Sequence, residues 1–324
     1  MSDSSDSEQG WQVRPSQDEL EFDLDHALKS MVRLQCHVPD GALTAQALGT
    51  ERAGNGVVID ESGLVLTIGY LVTEAETVWI TDHAGQVTQG TVAGYDQRTG
   101  FGLVQALGRL GLPALALGES SEIEPADRVV MAGGGDDQAI NALVTARREF
   151  AGYWEYVLDD AMFTAPAHPN WGGAGLLGPD GRLCGIGSLL VQQVTQGGDT
   201  IAGNMVVPTD LIKPILDDLR SFGQTRLPPR PWMGMMVQED DDGLIAAGVY
   251  SNCPADHAGI EVGDRILAIA SARPESLADM FRKVWALGPA GTRIPITISR
   301  DDQVMDLELV SVDRGALLKT GTVH

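Results

Sequence analysis

Basic residues are few in this chain. Its 324 residues hold 22 Lys and Arg against 45 Asp and Glu, a formal net charge of −23. So acidic a surface repels phosphate backbones and anionic headgroups, which argues against nucleic-acid and membrane-surface binding. Its plain consequence is solubility, and a basic partner is the sharper reading. Long apolar runs are missing too: none reaches the roughly 18 residues of a spanning helix. There are three cysteines, Cys36, Cys184 and Cys253. An odd, widely spaced set gives neither a disulfide framework nor a metal site. They read as small buried or semi-exposed side chains in a reducing compartment. The opening Met1-Ser2-Asp3-Ser4-Ser5-Asp6 has no basic or apolar signal region, so a cytoplasmic location is expected. No phosphate loop, dinucleotide fingerprint or metal cluster occurs, and no cofactor is expected. The run Gly133-Gly134-Gly135 reads as a turn at a strand end.

Hydrophobic residues make up 43% of the chain, glycines number 39, and aromatics are only 5%. That mix predicts many turns and short strands. Residues 1–26 read as a flexible acidic tail, with Trp11 and Phe22 as candidate anchors. Over 27–222, short apolar runs are punctuated by turn signals such as Asp60-Glu61-Ser62-Gly63, Asp82-His83-Ala84-Gly85 and Pro179-Asp180-Gly181. This spacing predicts an all-β barrel or sandwich. One helix is expected over Pro208–Leu219, capped by Thr209 or Asp210. Residues 223–231, rich in Pro, read as a stiff linker. A second unit over 232–314 alternates strands with two helices, Pro254–Ile260 and a Ser-capped Ser276–Leu287. Residues 315–324 form a patternless tail.

Several segments in combination carry a resemblance. They are Gly54-Asn55-Gly56-Val57-Val58-Ile59-Asp60, Gly63-Leu64-Val65-Leu66-Thr67, Gly94-Tyr95-Asp96-Gln97-Arg98-Thr99 and Asp180-Gly181-Arg182-Leu183-Cys184-Gly185-Ile186. Over about residues 27–313 the chain resembles the HtrA/DegP-like serine peptidases. The resemblance implies a mainly β fold, a trypsin-like double six-stranded β-barrel followed by a PDZ domain.

Such enzymes use a Ser nucleophile, a His base and an orienting Asp. The family's motifs put Tyr70 at the His position and Gly100 at the Asp position. Counting back from Asp180-Gly181 puts Gly172 at the Ser position, and a slip of one puts Trp171 there. The resemblance therefore implies a degenerate triad and a non-catalytic protein. Tyr70, His168, Asn170, Trp171 and Gly172 form the expected degenerate cleft. There Tyr70 and Trp171 fill the vacated space, and His168 is a solvated loop histidine.

PDZ domains add a peptide as an extra strand and capture its terminal carboxylate on backbone amides. The resemblance assigns that loop to Trp232-Met233-Gly234-Met235 and the groove strand to Met236, Val237 and Gln238. Leu277, Met280, Phe281 and Val284 share one helical face opposite. Met233 and Met235 are expected in the groove, whereas Phe281 and Val284 suit core and groove equally. The run Gln238–Asp242 reads as a solvated acidic turn. The implied function is an adaptor, scaffold or chaperone-like binder of protein C-termini and extended segments. Family relatives form trimers through N-terminal aromatics, a role open to Trp11 and Phe22. The rivals are a hydrolase with a relocated nucleophile served by His168, and a regulatory subunit of an active homologue.

Overall fold

The computed structural model describes residues 14–135, 139–194, 198 and 200–319. Trp11 and the end of the C-terminal tail lie outside them. The chain divides into two compact units. Of the described residues, the first holds 14–148, 160–225 and Lys319; the second holds Glu149–Asp159 and Arg226–Leu318.

In the first unit, β1 (Met31–His37), β2 (Glu51–Asp60), β3 (Leu64–Ile68), β4 (Thr77–Thr81), β5 (Val87–Tyr95) and β6 (Phe101–Ala106) close a barrel in the order β1-β2-β3-β6-β5-β4. The turn chemistry explains the hairpins. Asp60 Oδ1 accepts the Ser62 amide at 2.6 Å, which folds β2 onto β3 in the register Val57↔Leu66. A second barrel follows: β7 (Arg128–Ala132), β8 (Ala139–Gly152), β9 (Tyr156–Ala165), β10 (Gly175–Leu177), β11 (Leu183–Val194) and β12 (Thr200–Pro208). Its order is β10-β11-β12-β9-β8-β7. Closure removes strand edges and lets each barrel bury its own core, with Val57, Leu66 and Phe101 in the first and Met131, Met162 and Val206 in the second. Phe22 takes the space that a side chain at Gly181 would fill, so this tail aromatic rests on its own body.

The single helix expected over Pro208–Leu219 is broken. Two 3-10 turns, Thr209–Leu211 and Lys213–Ile215, precede an α-helix at Leu216–Phe222. Pro214 lacks the amide a continuous helix needs. Thr209, expected as a cap, is buried, and its hydroxyl donates to the Leu183 carbonyl at 3.1 Å.

The second unit holds a five-stranded antiparallel sheet: β13 (Met235–Asp240), β14 (Gly243–Val249), β15 (Arg265–Ile269), β16 (Arg293–Arg300) and β17 (Gln303–Val310). Sequence order is sheet order, so β13 is an edge. The helix Leu277–Ala286 buries Leu277, Met280, Phe281 and Val284, and its cap Ser276 accepts from the Asp279 amide at 3.1 Å. Burying those four side chains contributes on the order of 1.5–3 kcal/mol each. Arg300 grips the almost fully buried Asp264 through Nε at 2.6 Å and Nη2 at 2.7 Å. The turn at the end of β8 and β9 also belongs to this unit.

Candidate functional site

Tyr70 lies on the short helix Gly69–Val72 that follows β3. Its backbone carbonyl accepts from Arg52 Nη1 at 2.7 Å, and Arg52 Nη2 donates to Thr44 Oγ1 at 2.8 Å. Thr44 in turn donates its hydroxyl to Glu74 at 2.6 Å. A polar chain thus holds the Tyr70 backbone in place. The Tyr70 hydroxyl donates to the Ser188 carbonyl at 2.9 Å. Burial raises this phenol well above its ordinary pKa, so it stays protonated and acts as a donor.

A side chain on Gly172 would begin 2.7 Å from the Tyr70 hydroxyl oxygen. Gly100 is close to the same helix, since its carbonyl accepts the Gly69 amide at 2.6 Å. The three positions singled out in the sequence therefore meet at one helix. Around them lies a cavity of about 590 Å³, lined by Arg33, Asn55, Tyr70, Asn170, Trp171 and Gly172 among others. The Tyr70 hydroxyl occupies the space beside Gly172, and Tyr70 and Trp171 also wall the cavity next to it.

Asn55, unassigned in the sequence, ties the cleft loops together. Its side chain donates to the Asn170 carbonyl at 2.7 Å and accepts the Gly134 amide at 2.9 Å. A Cβ at Gly173 would sit 1.9 Å from the Asn55 carbonyl oxygen, and Gly173 has φ +78°, so only glycine fits there. His168 is not the solvated residue expected. It is 1% exposed; its amide donates to Asn204 Oδ1 at 2.7 Å, and its Nδ1 accepts the Asn170 amide at 3.1 Å. The chain doubles back tightly at this loop, and the ring becomes the peg it closes on.

A second site lies in the second unit. The amides of Met233, Gly234 and Met235 converge on one carboxylate, that of Glu155. Met233 donates to Oε2 at 3.0 Å, Gly234 to Oε1 at 2.9 Å, and Met235 to Oε1 at 3.5 Å. Gly234, at φ +78°, turns the chain so that successive amides face one point. Burial pushes Glu155 up to about 7, opposed by those three amides and by the Arg314 charge. The loop expected at Trp232–Met235 is thus a carboxylate grip.

The Met233 and Met235 side chains are fully buried in the core with Val237, Met280, Phe281 and Val284, where a groove position was expected. The reason is alternation: with the amides turned to the carboxylate, the side chains point inward. Met236 is half-buried and Gln238 exposed. Nothing in the sequence pointed to Glu155, which lies 78 residues before Met233.

Residues 54–186 match the family described as trypsin-like peptidase domain, and residues 231–310 match the PDZ domain. The chain thus carries a trypsin-like peptidase domain followed by a PDZ domain, the arrangement of the HtrA/DegP-like proteases it resembles. A probable periplasmic serine endoprotease DegP-like from Chlamydia pneumoniae is 25% identical over 275 residues, 78% of this chain and 54% of that protein. Its namesake from Ectopseudomonas mendocina (strain ymp) is 26% identical over 266 residues, 76% of this chain and 54% of that protein. The chain thus spans about half the length of these relatives. The HtrA-type protease AlgW with a decapeptide shares the fold, with a TM-score of 0.54 at 20% identity over 90% of this chain and 97% of AlgW. The serine endoprotease from Yersinia pestis gives a TM-score of 0.51 at 20% identity, covering 91% of this chain and 99% of that one.

These findings correct two expectations. Relatives across three quarters of this HtrA-like chain are named serine endoproteases, which overturns the expectation that it is no enzyme. Three motif positions are too narrow a base for denying hydrolysis to a whole domain. The same relatives are named periplasmic, which overturns the cytoplasmic expectation. The cysteine argument for a reducing compartment was weak physically. Burial pushes the Cys36 thiol to about 12 and that of Cys184 to about 11, with Cys253 also raised. A thiol that does not ionise survives unpaired in either compartment.

Proposed function

We propose that this chain is a peptide-binding protein that captures C-termini and extended polypeptide segments at its PDZ domain, in the manner of an adaptor or chaperone-like assembly factor. The observation that carries this reading is the convergence of the Met233, Gly234 and Met235 amides on a carboxylate beside the edge strand β13. Such a nest takes a C-terminal carboxylate, and an edge strand takes the chain behind it as an added strand. AlgW, whose fold is shared, was solved with a decapeptide. Fluorescence polarisation with labelled peptides tests the reading. Peptides with a free C-terminal carboxylate bind, and their C-terminal amides bind at least roughly tenfold more weakly, because the nest loses its anion. Equal binding of both forms sinks it.

The names of the relatives favour a second reading, endoproteolysis. The residues at the three motif positions are Tyr70, Gly100 and Gly172, so hydrolysis here draws its nucleophile from another group. Incubation with fluorescent denatured casein decides it. Cleavage that survives repurification and vanishes in His168→Ala establishes a relocated site. Absence of cleavage beside an active HtrA-type control rejects it.

A further inference from the structure

The carboxylate in the nest belongs to the chain itself. Glu155 ends the three-residue turn Tyr153-Trp154-Glu155 between β8 and β9, and this turn lies in the same unit as the nest. The turn copies more than the carboxylate. The Val237 amide on β13 donates to the Tyr153 carbonyl at 2.9 Å. The tip therefore offers the edge strand a backbone acceptor two residues before the carboxylate, as an added peptide strand would. Behind it, Val157 is buried in the core with Met233 and Met235, and Ala151 packs against that core.

The local conformation of Glu155 is costly. It sits at φ 62°, the left-handed region that a three-residue hairpin turn normally gives to Gly or Asn. An L side chain there costs roughly 1–2 kcal/mol. A turn whose only task is to reverse the chain has no use for Glu at this position. A carboxylate delivered to three amides does. The rest of the tip is held by modest means. Arg282 bridges Glu149 and Asp159 at the surface, and Trp154 stacks on Tyr156 with 5.8 Å between ring centroids. Exposed ion pairs of this kind contribute little, and Tyr153 is 44% exposed, so the tip at 153–155 is releasable while Tyr156 and Val157 stay buried behind it.

We propose that the Tyr153–Glu155 tip is a tethered ligand of the PDZ domain, which a polypeptide with a free C-terminal carboxylate must displace in order to bind. This rests on the peptide-binding reading above. The partner is defined by its chemistry: an extended chain end that brings an α-carboxylate to the three amides and a backbone carbonyl to the Val237 amide. A segment without a free C-terminus meets a nest already satisfied by Glu155.

The test uses the full chain and a pool of fluorescein-labelled hexapeptides with randomised last three residues and free carboxylates, alongside the same pool amidated. Glu155→Gly suits the left-handed turn and removes the competitor; Glu155→Ala removes the carboxyl group without adding glycine's backbone freedom. Both variants bind the carboxylate pool at least roughly tenfold more tightly than the native chain, with no gain for the amidated pool. Hydrogen exchange on the native chain needs no variant: saturation with the tightest peptide raises exchange over 153–155. Equal tight binding by native and variant chains, or native binding without release of 153–155, overturns the tethered ligand and leaves the peptide-binding reading standing. Failure of native and variant chains alike to bind either pool overturns both.

Discussion

Two buried glutamates, one in each unit, use the same backbone device to different ends. Glu74 and Glu155 both lie in the left-handed region, at φ 63° and 62°, and both hand a carboxylate to successive main-chain amides. Glu74 accepts from Leu43 at 3.0 Å, from Thr44 at 2.7 Å and from Lys319 at 3.0 Å, plus the Thr44 hydroxyl. Burial raises its pKa, but these donors outweigh burial and hold the group below the ordinary carboxylate range. The Arg52 guanidinium shares Thr44 with it. Glu155 has three amides and only the field of Arg314, and burial wins. The contrast teaches that a carboxylate in a nest is a lock or a latch according to the donors and charge that accompany it.

The largest expected effect tests the lock. Glu74→Ala leaves the buried Arg52 charge uncompensated and the Leu43, Thr44 and Lys319 amides without their acceptor, and lowers the unfolding free energy of the first unit by about 3–5 kcal/mol. Urea denaturation measures it. A loss under 1 kcal/mol would erase the difference between the two sites.

Acidity moves the two sites in opposite directions. Glu155 titrates at about 7 when docked, against an ordinary value of 4.5. The docked tip therefore holds a proton that the released tip has lost. Docking is strongest below pH 4.5, weakens as pH rises to about 7, and is level above that, a change of the order of 100-fold. The groups facing Glu155 are Arg314, Tyr250 and Cys253. Burial holds Tyr250 and Cys253 protonated in this window. Exchange protection of the Met233–Met235 amides, corrected for the intrinsic pH effect, falls between pH 5 and 7. Glu74 behaves conversely, since its depressed pKa gives stability that is present above the ordinary value and lost as acid protonates it.

Smaller effects refine the comparison. Thr44→Val deletes one donor to Glu74 and one acceptor for Arg52, and costs about 1–2 kcal/mol by thermal unfolding. Glu155→Gly loses the nest contact but relieves the left-handed strain, so the second unit changes by less than about 1 kcal/mol. A loss as large as that of Glu74→Ala would make the tip a lock as well.

Much of the architecture was legible because turns and alternation are local. Asp60 through Gly63 announces the β2–β3 hairpin, and Ser276 before Leu277, Met280, Phe281 and Val284 announces a capped, one-faced helix. The Pro208–Leu219 helix misled because its apolar spacing is helical while Pro214 forbids continuity. The adjacency of Tyr70 and Gly172 followed from motif positions, whereas the open cavity beside them depends on how two loops and Asn55 close. His168 looked solvated because a loop flanked by Pro and Asn reads as surface, and its burial comes from Asn204, 36 residues away. Glu155 was illegible for a similar reason. Its turn lacks the Gly or Asn that marks a tight hairpin, and its partners lie 78 to 80 residues downstream.

The edge strand β13 with the tip laid against it sets a threshold. A competitor on the same chain is present at a fixed effective concentration that dilution never lowers, in the millimolar range for a short tether. Free amino acids, side-chain carboxylates and other weak, abundant anions compete poorly against it. Occupancy then reports a ligand that makes strand and carboxylate contacts together, so the domain responds to the quality of a chain end more than to the quantity of negative charge around it.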